Sequence, residues 1–327
     1  MNKILVTGGA GYIGSHTVAK LLARGYEVFV VDDLSTGDKG SIKTKNFLKA
    51  DIADIDKIQT VLREFAPNAV IHFAASKDAP ESVVNPEKYY NNNVVKSIQF
   101  FNMLKESGIT KIIFSSTAAV YGDVQEFPIT ENFETKPTNP YGFTKLVLEN
   151  VLLDYQKAYG IEPMIFRYFN AGGADMGGEL GNMYPNPKDV ISMVIKAAKR
   201  EIPMFEIFGT DYNTRDGSCI RDIIHVDDLA EAHVLGLERL LAEGATGIYN
   251  LGSEQGYSIR EIVETTKKIT AQDFEVVEAG RRAGDIVVSI ASSEKAKKDL
   301  GWYPNLGLNE IIQSAWNWAK VVQKGEE

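Results

Sequence analysis

The sequence predicts an α/β protein: a doubly wound parallel sheet with a smaller α/β lobe toward the C-terminus. Three observations predict it. Short β-branched runs alternate with helical patterns through the first half, the signature of a parallel sheet covered on both faces. The first of those runs ends in a glycine-rich turn that opens a helix. Beyond Asn170 the alternation stops, and residues 171–187 are aperiodic and rich in Gly, Pro, Asn and Asp, as a long functional loop or a crossing between units would be.

Strands are expected at 3–7, 27–32, 45–49, 69–73, 111–115 and 162–167. Between the first two, Ile13, Thr17, Leu21 and Leu22 recur at helical spacing, and Arg24-Gly25 supplies the stop. Further helices fit 56–65, 86–107 and 141–159. After the irregular stretch the pattern reads as helices at 190–200 and 227–241, a strand at 247–251, and late helices at 258–269 and 309–321. A strand at 247–251, directly after a helix, can return to the parallel sheet, so the second lobe is discontinuous in sequence. The expected division is 1–168 plus about 226–251 for the sheet unit and 169–225 plus 252–327 for the lobe.

Composition narrows the function. A chain of 327 residues with 44% apolar and 24% charged residues has the make-up of an ordinary globular protein of two domains, far from disordered or membrane classes. The net charge of −9 provides no global positive field for nucleic acid or an anionic membrane, so an anionic ligand must be caught by local basic residues. The single cysteine, Cys219, excludes an intrachain disulfide and a Cys-based zinc cluster; it is expected to be a buried, inert thiol in a reducing, cytoplasmic compartment, and no metal is expected. The apolar run Ile4-Leu5-Val6 is too short for a signal-peptide core, and no run approaches a membrane span.

The first strand runs into Thr7-Gly8-Gly9-Ala10-Gly11-Tyr12-Ile13-Gly14, a G-x-x-G-x-x-G turn opening a helix. Glycine there serves a tight turn, close backbone approach to a pyrophosphate, and close packing of helix on strand. The second strand ends in Val30-Val31-Asp32, which puts a carboxylate about 20 residues beyond the glycines, where it accepts hydrogen bonds from an adenosine ribose diol. That carboxylate repels a 2′-phosphate, so NAD is expected rather than NADP.

Tyr141 and Lys145 stand four apart at a helix start after Asn139-Pro140 and therefore share one helical face. A free phenol is a poor base at pH 7, but a neighbouring ammonium and a cofactor's positive charge favour phenolate. Upstream, the strand Ile112-Ile113-Phe114-Ser115-Ser116-Thr117 ends in hydroxyls at the sheet edge where such folds bind ligands, placing Thr117 to bond the same substrate oxygen.

Together with Phe114-Ser115-Ser116-Thr117-Ala118-Ala119-Val120-Tyr121-Gly122, Pro140-Tyr141-Gly142-Phe143-Thr144-Lys145 and Arg167-Tyr168-Phe169-Asn170, these motifs resemble the extended short-chain dehydrogenase/reductases, and more narrowly the UDP-glucose 4-epimerase family. The resemblance continues through Ile207-Phe208-Gly209-Thr210-Asp211-Tyr212, Arg221-Asp222-Ile223-Ile224-His225-Val226-Asp227-Asp228, Tyr249-Asn250-Leu251-Gly252 and Arg281-Arg282-Ala283-Gly284-Asp285. It implies a Rossmann unit that binds NAD and a lobe that binds a UDP-sugar. The cofactor residues it implies are Gly8, Gly11, Tyr12, Ile13 and Gly14 in the turn, and Asp32, Asp33, Ser35, Thr36, Asp51 and Ile52 toward the adenosine. It adds Phe73, Ala74, Ala75, Lys77, Asn93, Ser115, Tyr141, Lys145 and Tyr168. For the substrate it implies Lys77, Thr117, Tyr141, Asn170, Asp189, Val190, Glu206, Phe208, Arg221, Arg282, Asp285 and Ser289, with Arg221 and Arg282 on the diphosphate and Asp285 on the uridine ribose. A solvated surface lysine is the alternative for Lys77, and His225 is read as structural. A homodimer through a bundle of the 86–107 and 141–159 helices is implied by family analogy.

Relatives that dehydrate such sugars carry an Asp-Glu pair after the Thr; here Ala118 and Ala119 stand there, and neither transfers a proton. What remains is oxidation at C4, with Tyr141 taking the O4 proton, Thr117 orienting the transfer and Lys145 holding the ribose. Return of the hydride to the other face of a rotated 4-keto sugar would interconvert UDP-glucose and UDP-galactose. Epimerisation or decarboxylation of a UDP-uronic acid or pentose, and an inactive NAD-binding module, are the alternatives. Two departures concern the sugar end: Asp189-Val190-Ile191-Ser192 replaces the family's usual Asn or His, Leu, apolar, Pro run, and Ser289 stands where epimerases restricted to unmodified hexoses carry a bulky Tyr. The small Ser289 leads to the expectation that UDP-GlcNAc and UDP-GalNAc are also accepted.

Overall fold

Strand β1 (Lys3–Thr7) is buried at every position after its first, as a central strand covered on both faces must be. It feeds α1 (Tyr12–Ala23), and the chain continues through β2 (Glu27–Asp32), β3 (Phe47–Lys49), α2 (Ile55–Phe65), β4 (Ala69–His72), α3 (Ala79–Val84), α4 (Pro86–Tyr89), α5 (Lys96–Glu106), β5 (Lys111–Thr117), α6 (Pro140–Tyr159) and β6 (Glu162–Tyr168). Then follow β7 (Asn170–Gly172), α7 (Val190–Ala198), β8 (Met204–Phe208), β9 (Ile220–His225), α8 (Val226–Glu243), β10 (Gly247–Leu251), β11 (Gly256–Ser258), α9 (Ile259–Thr270), β12 (Glu275–Ala279), β13 (Val288–Ser289), α10 (Glu294–Leu300) and α11 (Leu308–Glu326). This computed structural model describes residues 1–282 and 286–326.

Seven strands form one parallel sheet in the order β10-β6-β5-β4-β1-β2-β3, with β10 added at the edge beside β6 as its position after a helix suggested. One face packs on α1, α8 and α10 through Val18, Leu21, Leu229, Leu237, Leu240 and Leu300. The other packs on α2, α5 and α6 through Ile58, Leu62, Phe100, Phe101, Leu148 and Leu152. The strand order reverses between β1 and β4, and ligands of doubly wound sheets bind at that switch point, beyond the strand C-termini.

The lobe holds a small sheet built on β9, which pairs with β7, β11 and β13, and a separate parallel pair β8–β12. Its core lies among α7, α9 and α11. None of these lobe strands was expected from the sequence, because several are only two or three residues long and are created by pairing rather than by any run of their own. The helix expected at 86–107 is interrupted: a π-turn at Tyr90–Val95 separates α4 from α5, and the short α3 precedes them. Among the described residues no helix is long and apolar enough to cross a membrane.

Candidate active site

The glycine turn is shaped by backbone, and the geometry distinguishes its glycines. Gly8 has φ +71, and a Cβ there would lie 2.6 Å from the Ala74 nitrogen; a Cβ on Gly14 would lie 2.3 Å from the Gly8 carbonyl oxygen. Gly11 is open by comparison, its nearest neighbour being the Gly8 oxygen at 3.3 Å. It is also the N-cap of α1 and supplies no side-chain cap, so the helix begins with its orphan N–H groups and positive dipole end beside the cleft. Gly14→Ala is therefore expected to lower the melting temperature by several degrees, since overpacking costs about 1–3 kcal/mol. Gly11→Ala is expected to keep the parent melting temperature but lose bound NAD; differential scanning fluorimetry and nucleotide assay of the denatured protein check both.

A cleft of 260 Å³ opens over the turn, lined by Gly8, Gly11, Tyr12, Ile13, Gly14, Asp32, Asp33, Ser35, Thr36, Asp51, Ile52, Phe73, Ala74, Ala75, Lys77, Ser115, Tyr141, Lys145 and Tyr168, all positions singled out from the sequence. Asp32 is buried and accepts the N–H groups of Ala10 (3.0 Å) and Leu34 (2.8 Å); burial raises its pKa, and those two N–H donors oppose the rise. Asp51 is held by Lys96 and by the Ala53 N–H. The far rim comes from the aperiodic loop, whose Gly181, Met183 and Tyr184 were not foreseen; the Lys77 ammonium stands 4.8 Å above the Tyr184 ring, and Lys188 reaches Asp78 at 3.2 Å. Burial lowers the Lys77 pKa, against the raising influence of Asp189 and Asp78.

Helix α6 is set by its ends. Asn139 caps it by accepting the Gly142 N–H at 2.9 Å, Pro140 occupies the first turn, and Gly160 closes it in the left-handed conformation. Tyr141 and Lys145 thus enter the cleft from one helical face. The Tyr141 hydroxyl hydrogen-bonds Thr117, and burial, outweighing that bond, pushes its pKa up. The Lys145 Nζ donates to the Ser115 carbonyl at 2.7 Å, and burial lowers its pKa to about 7. Beside them the hydroxyls of Ser115 and Tyr168 hydrogen-bond each other.

The lobe residues fall into two groups. Phe208 pairs with Ala279 across β8 and β12, which brings Arg282 over the Phe208 ring at 3.4 Å; Glu206 is exposed two residues earlier on the same strand. Ser289 stands directly opposite Arg221 in the β13–β9 register, and Asn170 donates to the carbonyl of Asp222 at 3.0 Å, next to Arg221. Arg221 itself donates to the carbonyls of Ile220 and Val287. Asp285 lies outside the described residues.

Residues 4–252 match the family model described as the NAD dependent epimerase/dehydratase family. UDP-glucose 4-epimerase of Halalkalibacterium halodurans is 45% identical over 318 residues, covering 97% of this chain and 95% of that protein. The chain belongs to the NAD dependent epimerase/dehydratase family. Among solved members of that family, the UDP-glucose 4-epimerase of Bifidobacterium longum in complex with NAD+ and UDP superposes with a TM-score of 0.94 at 36% identity, covering 99% of this chain and all of that one. The UDP-Glc/GlcNAc 4-epimerase of Campylobacter jejuni gives 0.87 at 40%, covering 98% of this chain and all of that one.

Two of the residues expected at the ligands also have partners within the protein. Asn93, fully buried in the π-turn, donates to the Ser76 carbonyl (2.9 Å) and Thr144 Oγ1 (3.1 Å) and accepts the Ser76 N–H (2.8 Å). Thr144 in turn donates to the Tyr141 carbonyl, so Asn93 braces the cleft wall and the start of α6 from behind. Asp189, expected at the substrate, is also the N-cap of α7, accepting the Ser192 N–H at 2.9 Å and its hydroxyl at 2.8 Å, and Val190 packs against the lobe core. His225 caps α8 through the Asp227 N–H and meets Ser314 Oγ, and Cys219 is buried.

Behind the cleft lies a buried ion pair that no local sequence signal announces. Glu149, 1% exposed, and Arg167, 4% exposed, meet at 2.5 Å. Ser116 also donates to Glu149, and Arg167 donates to Tyr121 at 3.0 Å.

Proposed function

We propose that the chain interconverts UDP-glucose and UDP-galactose with a resident NAD. The observation that carries this reading is Tyr141 and Lys145 on the wall of a cleft, with Thr117 against the Tyr141 hydroxyl, above a glycine turn with no room for a Cβ at Gly8 or Gly14. The fit to a dinucleotide rests on that glycine floor, the uncapped α1 N-terminus for the pyrophosphate and the Asp32 carboxylate for the adenosine ribose. When bound, NAD supplies the hydride acceptor for sugar C4 and a fixed positive charge. Tyr141 then takes the O4 proton and later gives it back; Thr117 holds the phenol in line, and Lys145 binds the ribose and steadies the phenolate. Ala118 and Ala119 follow Thr117 in a single tight turn and offer no group for elimination. Arg221, Arg282 and Asn170 are the diphosphate ligands of this reading, Phe208 and Glu206 flank it, and the division of labour runs between 1–168 plus 226–251 for NAD and 169–225 plus 252–327 for the UDP-sugar.

The test mixes purified protein with UDP-galactose, without added nucleotide, and follows the anomeric protons by NMR. Appearance of UDP-glucose without net NADH is the expected result. Failure even with NAD supplied would end this reading, and a panel of UDP-uronic acids and UDP-pentoses would then be assayed. A wider sugar range is supported by Ser289, small and half-buried opposite Arg221. Ser289→Tyr is expected to cut kcat/KM for UDP-GlcNAc about tenfold or more while UDP-glucose changes less than threefold.

Val83, Val84, Tyr90, Val95 and Phe143 are exposed on α3, the π-turn and α6, and Tyr90 and Phe143 meet edge to face. This apolar surface supports a homodimer through those helices, for which light scattering should return twice the chain mass. A cytosolic location accords with the single buried thiol.

A further inference from the structure

Tyr141, Lys145 and Glu149 lie at i, i+4 and i+8 of α6, stacked along one face. The first two face the cleft. The third is sealed beneath it, and its oxygens are spent on two residues that stand directly opposite each other in the β5–β6 register, Ser116 and Arg167. Arg167 closes two bonds on the carboxylate, Nε at 3.0 Å from Oε1 and Nη2 at 2.5 Å from Oε2. Its remaining nitrogen donates to the Tyr121 hydroxyl, which donates to Asn250 Oδ1 at 2.7 Å on β10. Each partner adjoins a residue of the site. Ser116 lies between Ser115, whose carbonyl accepts from Lys145, and Thr117, which bonds Tyr141; Arg167 precedes Tyr168, whose hydroxyl meets Ser115.

We infer that Glu149 is a positioning residue: a peg that locks the rotation and axial register of α6 against the C-terminal ends of β5 and β6, and so holds the Tyr141 phenol on Thr117 and the Lys145 ammonium on the Ser115 carbonyl. An apolar contact would bury the helix equally well, but it would let the helix slide or roll, because dispersion and the hydrophobic effect have no direction. A bidentate guanidinium–carboxylate pair has one geometry. Displacements of about 1 Å at reacting groups cost on the order of 100-fold in rate, so a peg one turn beyond Lys145 controls turnover without touching substrate.

The inference rests on the proposed epimerase reading, and the experiment separates the two. Glu149→Gln leaves the Arg167 charge unbalanced in the interior and will be compared with the double variant Glu149→Leu/Arg167→Met, which removes both charges and keeps apolar volume, and with Ser116→Ala, which removes one strand of the tether. In the double variant with the parent melting temperature, kcat for UDP-galactose is expected to fall about 100-fold with KM within about threefold, and NADH affinity, read by fluorescence titration, to weaken about tenfold as Lys145 loses its seat. Ser116→Ala is expected to show a smaller loss in kcat, about three- to tenfold. A folded double variant whose kcat and NADH affinity both stay within twofold of the parent overturns the peg, as does a rise in KM with kcat held. Should the parent turn over no UDP-galactose while binding NADH, the functional reading fails, and the NADH titration alone decides for or against Glu149.

Discussion

Tyr141→Phe is expected to reduce kcat by about 10³-fold with NAD content unchanged. The variant deletes one oxygen. That oxygen is the phenol that bonds Thr117 and the group to which the proposed reading gives the proton transfer. The ring remains to fill its buried place, so the stability change is that of one neutral hydrogen bond, about 1 kcal/mol. Because burial pushes the Tyr141 pKa up, parent turnover should rise with pH on its acid side as phenolate forms, and that limb should vanish in the variant. The NMR assay with UDP-galactose at matched NAD occupancy checks it; retention of more than about a tenth of parent activity would move the proton transfer to another residue.

Legibility in the sequence follows locality. The β1–turn–α1 unit and Asp32 could be read because glycine spacing, strand length and helix period are all short-range signals, and the cleft they predict is the one the chain builds. Tyr141 and Lys145 were equally plain, being one turn apart behind a capped, proline-started helix. The Glu149–Arg167 pair was not. A charged residue within a helix reads as solvent-facing, and its partner stands 18 residues away on a strand, so only the sheet register reveals that both are buried. Asp189 shows the opposite case: the Asp189-x-x-Ser192 spacing before an apolar run is itself an N-cap signature, and its capping role is legible locally. In the lobe, strands of two or three residues exist only because β9 templates them, which leaves the Arg221–Ser289 juxtaposition invisible before folding.

Lys145→Met should uncouple stability from activity. Lys145 is 3% exposed, and burial lowers its pKa from the ordinary 10.5 to about 7, with Glu149 pulling the other way. Between about pH 7 and 10.5 the unfolded chain therefore carries a proton that the folded chain lacks. Stability of the NAD-free protein must rise with pH through that window, and the whole penalty stands below pH 7. Methionine has similar length, no charge to desolvate and no proton to lose. Against the gain stands the lost bond to the Ser115 carbonyl, worth about 1–1.5 kcal/mol, while Glu149 stays compensated by Arg167. The balance favours the variant at pH 6–7, with a rise in melting temperature of several degrees and a flatter dependence of melting temperature on pH above 7. Its kcat should nonetheless fall about 100-fold, since the phenolate loses its cation and the ribose its donor. A variant that melts below the parent at pH 6 would show that the Ser115 bond outweighs desolvation; one that melts higher and turns over normally would remove Lys145 from the chemistry. The expected pairing, hotter and slower, is what a site that stores an unfavourable charge for the sake of its reaction must give when that charge is taken away.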